Sequence, residues 1–528
     1  MKHLLSLVNS NKTIKWLLVV VALKQLLWIA FIPMWQFPDE QAHFGQVQNF
    51  AEGNPYGPTD GINTSLEIIA SEQLLGTKRD EMGNNKYTYH PEYNLSYAQT
   101  KSGIYEPEIS KFPFSFRHTL VASEATVYPQ LYYSLGSFFY KLVYGQDLFW
   151  RIFMVRLVNI ALFLSLVYVA YKIGDLLFPE QLLTQVTFTI MVAFQPMLSF
   201  VAGGINSDNL FNLLFTLAIY SNLRILKSGW KIREIILCLV LISLSIWTKP
   251  QGKLAVLLYI FPLGLTLVKQ KKSLLPILGA LLVLVWFFRD NVSRLLASQQ
   301  FLPDIPAWSR IKNMTFTSYL NYHVYFAKLA YRETIPWYWG VFRWLSLTYP
   351  RVVHRVINWL LVFAVGGCFL FAIKNLRQLK NAAVINFSFL LYASFMYVAA
   401  LVTFDYLFFT SHGYSLGLQG RYFLPTVAAH MGIILIGLRA LIFKTQFVPY
   451  GLKLLGGLIV LFHTYAFLFV SNSYFSPSNL KTVFIYASQY KPLIFKSPFL
   501  EIYLLVTGFS LIKFLSTFFK LRNYAETN

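Results

Sequence analysis

Cysteine is nearly absent from this chain: Cys238 and Cys368 are its two, and both fall inside apolar runs. Neither a disulfide framework nor a Cys-based metal centre is therefore expected. Charge is scarce as well. Charged residues make up 13% of the 528 residues, against 56% hydrophobic and 18% aromatic, too little polarity for several soluble domains. Negative charge is scarcest, with 23 acidic residues against 45 basic and a net charge of +22. That balance by itself would suit a nucleic-acid partner. However, the Lys and Arg residues come in short clusters between apolar runs, as in cytoplasmic loops, so nucleic acid is not expected. Solenoid repeats and low-complexity linkers are also missing, and residues 1–528 read as a single all-α, polytopic integral membrane domain in contact with the lipid bilayer.

What the chain has in abundance is apolar length. At about 20 residues per crossing, twelve spans are expected, near 16–35, 150–172, 183–202, 206–224, 234–248, 253–268, 273–288, 352–373, 384–403, 421–440, 452–472 and 498–518. The first lacks a following small-residue cleavage site and reads as an anchor rather than a removed signal peptide. Basic clusters set the sidedness. Lys2, Lys12 and Lys15, Arg224 to Arg233, Lys269 to Lys272, Lys374 to Lys380, Arg439 to Lys453, and Lys513 to Arg522 all fall on one side of a twelve-span scheme, placing both termini in the cytoplasm.

Residues 36–149 then form a large first extracytoplasmic loop, and twelve of the 23 carboxylates lie in its 36–127 portion. The aromatic stretch 128–145 is expected to lie along the outer interface rather than cross. The second outer loop, 289–351, is basic. Long loops translocate regardless of charge, so this leaves the topology standing and points to a bound anion.

The chemistry is expected at the start of the first loop, in Phe37-Pro38-Asp39-Glu40-Gln41-Ala42-His43. Pro38 suits the first turn of a helix, and carboxylates there are favoured by the helix dipole, which alone would account for Asp39 and Glu40. His43, four residues on, shares a face with Asp39 while Glu40 points elsewhere. A carboxylate and an imidazole on one face can orient a hydroxyl and accept its proton, so Asp39, Glu40 and His43 are the candidate catalytic residues.

Asn206-Ser207-Asp208 opens the fourth span as an N-cap or as a second acidic position, Asp208. Lys249 lies at an outer boundary, snorkelling or contacting phosphate. Arg421, in Gln419-Gly420-Arg421-Tyr422-Phe423-Leu424-Pro425, is costly at a membrane edge unless paired. It would either grip a phosphate bidentately or pair with a carboxylate such as Asp405. Arg343 lies in an interfacial aromatic string, Trp337 to Trp344. Tyr87, Tyr89, His90, Tyr93 and Tyr97 would stack on a sugar or pack the loop down.

Together, Pro38-Asp39-Glu40-x-x-His43, Tyr128-Pro129-x-Leu131-Tyr132-Tyr133, Asn206-Ser207-Asp208, Trp339-Gly340-x-Phe342-x-Trp344 and the Gln419–Pro425 string resemble a bacterial family of polytopic membrane proteins related to the GT-C glycosyltransferases. The likeness spreads over about residues 16–440 and implies a GT-C-like helical core with a large first outer loop carrying interfacial helices. Relatives such as the protein mannosyltransferases and the lipid A aminoarabinose transferase use sugars on polyprenyl-phosphate carriers at the outer face. Asp39 matches the position of their catalytic aspartate and Asp208 roughly a second acidic position. Gln130 departs from the second proline common in those relatives near Tyr128.

The resemblance and the motifs together lead to an expected function. It is inverting transfer of a sugar from a polyprenyl-phosphate-linked donor to a hydroxyl on a glycan, lipid or protein acceptor, at an extracytoplasmic site in the bacterial plasma membrane. Asp39 would serve as base, with Arg421, Lys249 and Arg343 on the donor phosphate. No cofactor is required, although Asp39 and Asp208 suit a divalent cation such as Mg or Mn. The alternative is a transporter or flippase of a lipid-linked sugar.

Overall fold

The computed structural model describes residues 2–53, 62–80, 83–93, 95, 97, 99–125, 128–270, 315–378, 380–412, 414–415, 417–475 and 479–521. The described chain is mostly helical, with two small antiparallel strand pairs: β1 (Thr64–Ser65) with β2 (Leu120–Ala122), and β3 (Val341–Phe342) with β4 (Leu347–Thr348). The helices run α1 (Lys2–Phe31), α2 (Glu40–Ala51), α3 (Leu66–Leu75), α4 (Gln99–Ser110), α5 (Ser115–His118), α6 (Leu131–Leu142), α7 (Leu148–Leu177), α8 (Leu182–Ala193), α9 (Pro196–Val201), α10 (Asp208–Ser228), α11 (Ile232–Thr248) and α12 (Ala255–Gln270). They continue as α13 (Phe316–Leu329), α14 (Ile335–Trp339), α15 (Arg351–Asn375), α16 (Ala382–His412), α17 (Val427–Ala440), α18 (Val448–Phe475), α19 (Leu480–Ala487) and α20 (Phe499–Phe519).

Among the described residues, seven helical segments are long and apolar enough to cross a membrane: Lys12–Phe31, Leu148–Leu177, Arg351–Asn375, Ala382–Thr410, Gly420–Ala440, Thr445–Phe475 and Phe499–Phe519. Seven of the twelve expected spans correspond to these. Exposed Val352, Val356, Trp359 and Phe363 on α15 form an apolar face that a bilayer, not water, would cover.

Four of the remaining expected spans have an identifiable physical shortfall. The one near 183–202 is broken. Pro196 has no N–H, and Gln195 before it is pushed into the extended region (φ −63°, ψ 118°), so α8 stops and α9 restarts behind the Gln195 side-chain cap. The one near 206–224 is a continuous helix, α10, but Asn209, Asn212 and Asn222 dilute its apolar character. Helix α11 is 17 residues long and α12 is 16, with the Pro250–Leu254 3-10 turn between them. The expected span 273–288, and the part of the second loop before residue 315, lie outside the described residues.

The core is built around α7 and α10, which pack on each other. Helix α7 also touches α1 and α8, while α10 reaches α11 and the Gly420–Thr426 3-10 turn. Helices α15 and α17 approach closely because a Cβ on Gly367 or Gly437 would collide with the facing backbone carbonyl. The first loop folds as helices α2 to α6. Helix α6 has 12 residues, too few to cross, with Tyr132, Tyr133 and Tyr140 buried while Phe138 and Leu142 stay exposed.

Candidate functional site

The first loop begins after Phe31 with turns in which Trp35 (φ 62°) and Asp39 (φ 56°, ψ 21°) both take the left-handed conformation. Aspartate tolerates that region better than most residues. Helix α2 starts at Glu40, so Asp39 is its N-cap position rather than part of its first turn. The Asp39 side chain makes no capping bond to the helix. Capping therefore does not explain this carboxylate. It points to Arg421, whose Nη2 lies 2.6 Å from Asp39 Oδ2.

Arg421 sits in the Gly420–Thr426 turn leading into α17, where Gly420 lies directly against the Tyr338 backbone. The guanidinium is nearly buried, whereas Asp39 is half-exposed, at 5% and 45% of the respective side chains. Arg421 Nε and Nη1 are buried without a hydrogen-bond partner. An arginine placed this way presents two unanswered donors, which is costly unless something else accepts from them. The expected alternative partner, Asp405, is engaged elsewhere: Tyr322 and Ser415 hydroxyls donate to it, the latter at 2.8 Å.

Asp39 and Arg421 open onto a cavity of about 670 Å³, whose walls also include His43, Tyr128, Trp344 and Tyr422. Burial alone would raise the Asp39 pKa, but the charge of Arg421 and its hydrogen bond hold it below the usual carboxylate value. His43 is buried against Tyr133, sharing a 2.7 Å hydrogen bond through Nδ1 with the Tyr133 hydroxyl. Burial drives its pKa down to about 4, so the imidazole is neutral at ordinary pH.

Behind Tyr128 lies a second ion pair. Lys249 Nζ donates to Asp208 Oδ1 and sits 5.7 Å over the Tyr128 ring. Lys249 is placed there because α11 ends at Thr248 and Lys249 is extended before Pro250. Asn206 fastens this turn to the first loop: its Nδ2 donates to the Pro38 carbonyl at 3.3 Å, and its Oδ1 accepts from Asp208 N at 2.9 Å. Asp208 is the first residue of α10, behind Ser207, whose side chain makes no capping bond.

Two expected site residues have other work. Glu40 is fully buried in a bidentate pair with Arg156, with Nε to Oε1 at 2.7 Å and Nη2 to Oε2 at 2.6 Å, and it also accepts from Trp35 N at 3.1 Å. Arg156 further donates to the carbonyls of Ile32 and Pro33. Glu40 thus locks the end of α1 to α7 rather than facing the cavity. Adjacent residues at a helix start do not share a face, so with Asp39 toward the cavity Glu40 is turned away from it. Arg343 donates to the carbonyls of Tyr93 and Ser473 and is not part of the cavity wall. The loop aromatics pack rather than line it, with Tyr97 on Phe475 and Tyr486, and Tyr89 on Trp337.

Sequence reasoning missed the opposite wall. There Arg79 bridges Glu72 and Glu124, at 2.8 Å to each. Glu72 is buried, and burial raises its pKa to about 7 despite Arg79. Arg156 and Arg151, the latter paired with Glu67, were detectable as arginines within an expected span. Among the described residues no group of three His, Cys, Asp or Glu side chains converges as metal ligands do. Asp39 and Asp208 each have a basic partner instead.

A family model described as "Predicted membrane protein (DUF2142)" matches residues 23–429, a stretch that contains Asp39, His43, Asp208, Lys249 and Arg421. No curated protein and no solved structure matches the chain. The match covers most of the sequence, and the chain belongs to this family of predicted membrane proteins.

Proposed function

We propose that this protein is a membrane glycosyltransferase of the GT-C kind. In this reading it moves a sugar from a polyprenyl-phosphate-linked donor to a hydroxyl of a glycan, lipid or protein acceptor on the extracytoplasmic side. The observation that carries it is the Asp39–Arg421 pair, a half-exposed carboxylate held by an almost buried guanidinium in the wall of one cavity.

The chemistry needs a base on the acceptor and charge stabilisation on the departing phosphate. Arg421 supplies a planar cation suited to phosphate oxygens, and Tyr128 and His43 complete a polar wall. Paired with Arg421, Asp39 is ionised but weakly basic. Phosphate drawn to Arg421 would compete for that guanidinium, and the released carboxylate would regain basicity as the acceptor hydroxyl arrives. Asp39 then takes the hydroxyl proton, the acceptor oxygen bonds to the anomeric carbon from the face opposite the phosphate, and the carrier phosphate leaves with the electron pair. Holding both reactants in one cavity supplies much of the acceleration. A divalent cation on Asp39 and Asp208 would compete with the charges of Arg421 and Lys249 for these two carboxylates.

The break between α8 and α9 favours a second reading, a flippase of lipid-linked sugar, because discontinuous helices line many transport sites. Supplying the purified protein with a labelled polyprenyl-phosphate sugar and a hydroxyl acceptor distinguishes the two. Sugar leaving the lipid supports transfer. Sugar that stays on the lipid and changes leaflet supports transport.

A further inference from the structure

A second cavity, about 390 Å³ in volume, lies at the far end of α10 from Asp208. Twenty-one helical residues separate the two ends, roughly 30 Å at 1.5 Å per residue, which matches the thickness of a bilayer's hydrocarbon core. In the twelve-span topology, where α10 is the fourth crossing, the second cavity lies at the opposite membrane boundary.

Its walls carry Arg224, Lys227, Lys231 and Arg233 against a single carboxylate, Glu234. Glu234 is already committed to Arg224 at 2.6 Å, with Arg233 at 3.7 Å. Lys227, Lys231 and Arg233 are exposed, and the positive end of α11 opens at the same place. The end of α10 contributes the negative pole of its own dipole, but Gly229 N caps the Ile225 carbonyl there at 2.8 Å. Leading away from this cation box, α11 exposes Ile232, Ile236 and Val240, four residues apart on one face, and then Trp247. Such a stripe is where acyl chains lie. An anion box at headgroup level that continues into an apolar stripe has the shape and charge of one kind of ligand.

We infer that the α10–α11 turn is a binding site for an anionic glycerophospholipid, with its phosphate among Arg224, Lys227, Lys231 and Arg233 and its acyl chains along Ile232, Ile236 and Val240. The inference is independent of the glycosyltransferase reading.

The test uses the purified full chain in detergent, titrated with dioleoylphosphatidylglycerol, dioleoylphosphatidylcholine or inorganic phosphate, with bound lipid counted by native mass spectrometry and stability followed by thermal unfolding. Lys227→Gln, Lys231→Gln and Arg233→Gln are combined because all three are exposed, leaving the Arg224–Glu234 pair intact. Each cation near an anionic headgroup contributes about a factor of five, so the triple variant should lose about tenfold or more of its phosphatidylglycerol affinity after screening. A control triple of Arg377→Gln, Lys444→Gln and Lys513→Gln, exposed cations outside the cavity, should lose less than about twofold. Equal affinity for the two lipids would overturn the site, as would equal losses in the two triples. Stabilisation by inorganic phosphate equal to that by phosphatidylglycerol would show a free anion, not a lipid, as the ligand.

Discussion

Arg421 Nη2 lies 2.6 Å from Asp39 Oδ2, joining two residues 382 positions apart at opposite ends of the matched family region. The pair is lopsided: Asp39 uses a half-exposed carboxylate, while Arg421 keeps two buried nitrogens unanswered. The guanidinium also lies 5.3 Å from the Tyr422 ring centroid, so it is held between Asp39 and an aromatic face.

The first prediction follows from the place of Arg421 in the cavity wall. Arg421→Lys keeps the charge and loses the planar fork, so binding of a polyprenyl-phosphate donor should weaken by about tenfold or more, the worth of a charge-assisted hydrogen bond. Arg421→Ala should weaken it further. Donor affinity measured on folded protein decides this. Unchanged affinity in both variants, with only the melting temperature lowered, would reduce Arg421 to a structural partner of Asp39.

Glu40 should behave differently from its neighbour. Glu40→Gln leaves Arg156 without its fully buried counter-ion, which costs about 3–5 kcal/mol when one partner of such a pair is removed. Thermal unfolding in detergent should show a large loss of stability, with donor affinity preserved in whatever protein stays folded. Stability equal to the parent chain would contradict the clamp.

Gly420→Ala should lower stability by about 1–3 kcal/mol, the usual cost of overpacking, because the new Cβ would overlap the Tyr338 backbone and push Arg421 out of register. Gly366→Ala, with open space around it, is the control and should be neutral or slightly stabilising. Comparison of the two melting curves is sufficient.

Glu72 supplies a pH dependence. Its folded pKa is raised from 4.5 to about 7, chiefly by burial, so the folded chain holds a proton that the unfolded chain has released between those values. Stability from this group is fully present below about 4.5 and falls as pH rises toward 7. Glu72→Gln should flatten the melting temperature across that interval. A slope unchanged by the substitution would assign the dependence to another group.

Much of this was legible in the sequence wherever charge meets an apolar boundary. Asp39, Asp208, Lys249 and Arg421 are costly at a membrane edge, and the structure places all four in or next to one cavity. Their pairing was not legible, because nothing local distinguishes Asp39 from Asp405 as the mate of Arg421, and packing alone decides it. That Glu40 points away from Asp39 and His43 was legible in the helix geometry, but its mate was not, because Arg156 lies 116 positions along the chain and packing alone brings it there. Pro196 was visible throughout, yet the apolar residues on both sides of it made 183–202 look continuous.

The most direct measurement is transfer of labelled sugar from its polyprenyl-phosphate carrier by wild-type protein and by Asp39→Asn, reconstituted side by side. Asparagine keeps the size and accepts the left-handed backbone, so folding and donor binding should survive while the base is lost. The account predicts transfer by the wild type and a loss of about a hundredfold or more in the variant. Equal turnover by the two proteins would contradict it.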